Sequence, residues 1–92
     1  MFYVVSYDIK NDKRRNKIFK LMKDYGKRVQ YSVFECEFSN EKIKEEMKKR
    51  IKKLIKEDED SVRIYFIPKD GKKKIEVIGQ GEILEYRRVY II

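Results

Sequence analysis

The chain has 92 residues, the size of one small domain, and carries 24 Lys and Arg against 16 Asp and Glu, a net charge of +8. It has no His, no Trp and a single cysteine, Cys36. That excludes His-dependent nucleophilic catalysis, Cys/His zinc sites, an internal disulfide and a CxxC redox pair. No apolar run approaches the roughly 18 residues of a bilayer span and no signal-peptide pattern is present, so a cytoplasmic protein without membrane contact is expected.

The run Phe2-Tyr3-Val4-Val5-Ser6-Tyr7-Asp8-Ile9 is aromatic and β-branched on both alternating sets. This is the pattern of a central strand, and it delivers Asp8 at its C-terminal end. Asn11 or Asp12 can cap a helix reaching Tyr25, with Ile18, Leu21, Met22 and Tyr25 on one face, Lys13, Lys17 and Lys20 pointing away, and Gly26 as C-cap. From Lys27 to Phe38 the chain is extended, with a break expected near Gln30-Tyr31-Ser32 that makes two short antiparallel strands. Ser39 or Asn40 caps a second helix to about Lys56, buried along Ile43, Met47, Ile51 and Leu54. The acidic run Glu57 to Asp60 opposes a helix C-terminus and reads as a loop.

Ser61 to Pro68 alternates as a strand, Lys69-Asp70-Gly71-Lys72 reads as a hairpin turn, and Lys74 to Ile78 as the returning strand. The tail from Tyr86 to Ile92 is again strand-like. The order β-α-β-β-α-β plus extra C-terminal strands describes a ferredoxin-like α/β plait, an α+β fold with both helices on one face, built as a single domain over residues 1–92. The opposite face holds Tyr65 and Ile67 together with either Tyr3-Val5-Tyr7 or Phe2-Val4, too apolar to remain in water. A homodimer with sheets packed face to face, and the strand at about 86–92 exchanged with the partner, satisfies both needs.

The positive charge is local. Residues 1–28 hold nine Lys and Arg against three acids, and Lys10, Lys13, Arg14, Arg15, Lys17 and Lys20 lie within eleven residues of one another. Such a cluster suits a phosphate-backbone track on nucleic acid, while a solvated helix face is the plainer alternative. The aromatic signature of RNA-recognition modules is absent, so binding by backbone or shape, with strong salt dependence, is expected. Asp8, at a strand end before this basic helix, is either a turn carboxylate bonded to backbone amides or one half of a Mg²⁺ site. A two-fold axis near it would bring two Asp8 carboxylates together around the ion.

Tyr3-Val4-Val5-Ser6-Tyr7-Asp8-Ile9, Arg14-Arg15, and Tyr25-Gly26-Lys27-Arg28-Val29-Gln30-Tyr31-Ser32-Val33-Phe34-Glu35-Cys36 resemble the Cas-two family of small CRISPR-associated proteins across essentially the whole chain. The resemblance implies a ferredoxin-like homodimer acting in spacer acquisition beside a larger integrase, the Cas-one protein. It also implies a metal-dependent endonuclease on single-stranded RNA or double-stranded DNA. By the same resemblance Asp8 corresponds to the metal-binding aspartate, with Mg²⁺ shared between the two Asp8 of a dimer. Arg15 and Phe34 correspond to positions tied to activity, and Arg28 and Ser32 lie in the same motif. Read for themselves, Phe34 suits the core, Ser32 a turn hydroxyl, and Arg15 and Arg28 phosphate contacts; Cys36 suits a buried small hydrophobe. Two further functions stay open: a non-catalytic adaptor that holds duplex DNA for the integrase, and a stand-alone toxin-like ribonuclease of the same fold.

Overall fold

A computed structural model of the chain describes residues 1–84. Four strands, β1 (Phe2–Asp8), β2 (Lys27–Gln30), β3 (Val33–Glu37) and β4 (Ser61–Ile67), form one sheet in the order β2-β3-β1-β4, every neighbouring pair antiparallel. Helices α1 (Asp12–Met22) and α2 (Glu41–Leu54) connect them, and a short α3 (Lys69–Lys72) follows β4. This is the ferredoxin-like arrangement expected from the element order. No helix among the described residues is long and apolar enough to cross a membrane.

Local chemistry sets the boundaries. Asn11 Oδ1 accepts from Arg14 N–H at 2.9 Å and Asn40 Oδ1 from Ile43 N–H at 3.2 Å, so each helix opens on a side-chain cap. α1 stops at Met22, and the chain reaches buried Tyr25 through a turn in which Tyr25 and Gly26 both donate to Met22 O. Gly26 is needed for space. A Cβ there would lie 2.2 Å from Glu35 O and 2.7 Å from Cys36 Sγ, because the start of β2 presses against β3.

The helices cover the face bearing Tyr3, Val5 and Tyr7. These pack with Phe34 and Cys36 of β3, with Ile18, Leu21 and Met22 of α1, and with Ile43, Met47 and Ile51 of α2. Phe2 and Val4 therefore face the other way, opposite Glu37 and Glu35 on one side and Ile67 and Tyr65 on the other. That second face is partly covered by α3 and the chain after it. Lys72 Nζ reaches Glu37 at 3.2 Å and sits 4.8 Å from the Phe2 ring, and Leu84 N–H donates to Glu35 Oε1 at 3.0 Å.

The expected hairpin at Lys69 to Ile78 is corrected here. Lys69–Lys72 is helical, with Lys72 and Lys73 donating to the carbonyls of Pro68 and Lys69, and Lys74 to Ile78 form no strand. A tight two-residue hairpin needs positive φ in its turn. The glycines with positive φ are Gly79 and Gly81, not Gly71, and after Pro68, which is extended at φ −60° and ψ 159°, the chain makes a helical turn instead. The extra strand expected at 86–92 lies outside the described residues.

Candidate nucleic-acid site at the end of the first strand

β1 ends on Asp8, whose side chain is 69% exposed and accepts from Lys10 Nζ at 3.1 Å. The backbone around it is tied to three separate elements. Tyr7 N–H donates to Ser32 O at 3.0 Å, holding the strand end to the β2–β3 turn. Arg15 reaches back from α1, with Nη2 donating to Ile9 O at 3.0 Å and Nη1 to Asp12 Oδ1 at 2.6 Å.

The third tether is Asp60, at the junction of the acidic loop and β4. Its buried carboxylate accepts from Lys10 N–H at 3.0 Å, Lys56 N–H at 3.0 Å, Arg14 Nε at 2.8 Å and Arg14 Nη2 at 3.1 Å. The Arg14 guanidinium and these two amides hold the Asp60 carboxyl far below the usual carboxylate range. Nothing in the sequence pattern singled Asp60 out, since it closes a run of four acids and its partners Arg14 and Lys10 lie 46 and 50 residues away.

The residues picked out by sequence separate into three kinds. Asp8, Lys10, Lys13 and Lys17 are exposed along the strand end and α1. Arg14 and Arg15 lie at the same end, but both make the structural bonds just given. Arg28 is exposed on β2 with its guanidinium 5.1 Å from the Phe19 ring, while Ser32 adopts φ +64° in the turn. Phe34 is fully buried between Tyr7 and Phe19, at ring-centroid distances of 6.3 and 6.0 Å. It can shape the site through its neighbours but presents no atom to a ligand. Burial pushes the Tyr7 hydroxyl's pKa above its ordinary value, with the neighbouring Ser32 side chain acting the other way, so this ring stays neutral.

As a metal site, one chain supplies little. Among the described residues no three Asp, Glu or Cys side chains converge. Asp8 offers the exposed carboxylate that ends the strand, which fits a hydrated Mg²⁺ only as one of two protein ligands.

The family model described as "CRISPR associated protein Cas2" matches residues 1–75. The chain belongs to this family. It is 42% identical over 90 residues to "CRISPR-associated endonuclease Cas2 2" of Thermus thermophilus, covering 98% of this chain and 94% of that one. It is 43% identical over 94 residues to "CRISPR-associated endoribonuclease Cas2 1" of Chloroflexus aurantiacus, with all of both chains covered. Among solved structures, the chain in the "Partial Cas6-RT-Cas1--Cas2 complex" superposes with a TM-score of 0.75 at 35% identity, over 84% of this chain and 89% of that one. Of the Cas2 motif read in the sequence, Tyr3, Val5, Tyr7, Tyr25, Phe34 and Cys36 are buried in the core, and the remainder leaves an exposed rim. It runs from Asp8 through the start of α1 to the β2–β3 turn, with Phe34 beneath.

Proposed function

We propose that this chain is a homodimeric, Mg²⁺-dependent nuclease subunit of CRISPR adaptation in the cytoplasm, acting on single-stranded RNA or double-stranded DNA beside a Cas1 integrase. The observation that carries the reading is the exposed Asp8 carboxylate at a strand end fixed from three sides, bordered by Lys10, Lys13 and Lys17. The names of the Thermus and Chloroflexus relatives support a nuclease, and the solved Cas1–Cas2 assembly supports the partner.

In this reading Asp8, together with the Asp8 of a second copy, would hold the ion. Bound Mg²⁺ supplies Lewis-acid polarisation of a phosphate and a more acidic water. The chain's own residues bind and orient. Lys10, Lys13 and Lys17 take up phosphate charge, and Arg28 and Ser32 extend the contact surface along the hairpin. Arg15 acts mainly by fixing the carbonyl of Ile9, directly after the aspartate. Phe34 keeps Tyr7 and Phe19 in place beneath the strand end.

A second reading, a basic dimer that holds duplex DNA while Cas1 performs the chemistry, is favoured by a different observation. Among the described residues one chain gathers no three carboxylates at the site, while several exposed cations lie beside Asp8. Cleavage of labelled single-stranded RNA and duplex DNA by wild type and Asp8→Ala, each with Mg²⁺ and with EDTA, decides between them. Asp8 is exposed and outside the core, so the variant should fold and dimerise as wild type does. Cutting that needs both Mg²⁺ and Asp8 establishes the nuclease; equal binding with no cutting by either protein establishes the adaptor.

A further inference from the structure

The turn beside Asp8 carries a side chain that the proposed mechanism does not use. Tyr31 is 74% exposed, the most exposed aromatic ring among the described residues. Water is a poor environment for such a ring, and its position is built with some care. The next residue, Ser32, takes φ +64°, a left-handed conformation that residues with a Cβ rarely adopt. A register shift between Arg28 and Gln30 accompanies it on β2. The carbonyl of Ser32 is bonded to Tyr7 N–H, so the turn cannot move independently of β1.

The pairing register brings this ring to the site. β3 runs antiparallel to β1 with Val5 opposite Phe34 and Ser6 opposite Val33. The Tyr7–Ser32 bond carries the same register one step further. Tyr31, the next residue, therefore stands at the strand end occupied by Asp8. The Arg15 guanidinium is raised above its ordinary pKa chiefly by Asp12 and further by the neighbouring Tyr31 hydroxyl. Arg28 belongs to the same hairpin, stacked over Phe19. An exposed aromatic face, two guanidinium groups and a carboxylate are thus gathered on one rim.

We propose that Tyr31 is a base-stacking residue that receives an unpaired nucleobase of single-stranded nucleic acid, so that the rim prefers single strands to duplex. The inference rests on the nucleic-acid reading of the Asp8 rim. Its chemistry is specific: every base offers a π-face to a tyrosine ring, but bases inside a duplex already have both faces covered. Lysines and arginines alone attract phosphate without distinguishing the two forms. Tyr31 adds the contact that only an unpaired base can make.

The test measures binding rather than cleavage, using a single-stranded RNA oligomer, an abasic oligomer of equal length and charge, and a duplex. The chain has no tryptophan, so Tyr31→Trp gives a single indole at the proposed contact. Its emission should be quenched by the single strand and unchanged by the abasic oligomer or the duplex. Tyr31→Ala should weaken single-strand binding roughly 5- to 100-fold, the range for losing one stacking aromatic. Abasic and duplex affinities and the salt slope should stay as in wild type.

Equal weakening for all three probes, or no change for any, overturns the proposal. So does an altered sedimentation mass of Tyr31→Ala, which would make the ring a contact between copies of the chain. If wild type binds none of the three probes, the nucleic-acid reading of the rim fails as well. If wild type binds the intact and abasic strands alike, the stacking role alone fails.

Discussion

Phe34→Ala separates a packing role from a chemical one. The ring is completely buried and lies between Tyr7, at the end of β1, and Phe19, on α1. Truncating a buried phenylalanine costs about 3–5 kcal/mol. The whole stability expected of a domain this size is about 5–14 kcal/mol. At about 4–8 °C per kcal/mol, Tm should fall by roughly 15–35 °C. The void opens under both Tyr7 and Phe19, so the strand end and α1 loosen together. Any nuclease or binding activity should then be lost in proportion to the unfolded fraction. Melts followed by circular dichroism, with activity or binding measured across the same temperatures, check this. Phe34→Leu keeps an apolar side chain of similar reach and should lose less stability and proportionately less activity. A Phe34→Ala protein that melts within about 3 °C of wild type, under 1 kcal/mol on this scale, yet has no activity would refute the packing account.

The Arg14–Asp60 pair predicts an acid-labile clasp. Because the native Asp60 carboxyl is held well below its ordinary range, its contribution is complete above the unfolded value of about 3.9 and is lost as pH falls below that. Arg14→Ala or Asp60→Asn should lower Tm at pH 7 and flatten the loss of stability below about pH 4; parallel acid-melt profiles for variant and wild type would contradict this. Cys36 is buried beside Glu35 and its thiol is pushed up to about 12. In the native protein at pH 8 it should react with iodoacetamide on the order of a thousandfold more slowly than in denaturant. On the exposed face of α1, Lys13→Ala and Lys17→Ala should each weaken duplex binding and reduce the salt slope by roughly 0.9 per lost phosphate contact. A slope unchanged in the double variant would take those lysines off the phosphate track.

Where the sequence pattern was periodic, it read through to the structure. Ile18, Leu21 and Met22 on α1 and Ile43, Met47 and Ile51 on α2 all became core because helical spacing leaves one face to bury them. It could not choose between Tyr3-Val5-Tyr7 and Phe2-Val4, since both sets on β1 are apolar and the choice depends on where the helices land. At Lys69 to Ile78 an Asp-Gly pair imitated a hairpin, but Gly71 lacks the positive φ such a turn needs, and Lys69–Lys72 is helical instead. Arg14 was grouped with its basic neighbours because charge along a chain is visible locally. Its partner Asp60 is 46 residues distant and visible only after folding.

That pairing changes how the basic cluster should be counted. Arg14 is bonded through Nε and Nη2 to a buried carboxylate, and Arg15 is bonded to Asp12 and to the carbonyl of Ile9. Reversing the charge at either residue would therefore disturb the fold around Asp8 as well as any phosphate contact, whereas Lys13 and Lys17 test charge alone. The strand end itself shows why those arginines are used this way. Tyr7, Ile9 and Lys10 flank Asp8, and each donates or accepts one backbone bond to a different part of the chain: the β2–β3 turn, α1 and the α2–β4 loop. An exposed carboxylate on a loose loop would spend orientational freedom to meet a ligand. One held by three tethers of separate origin has already lost that freedom in folding, the condition under which a single aspartate can serve as a defined ligand or phosphate guide.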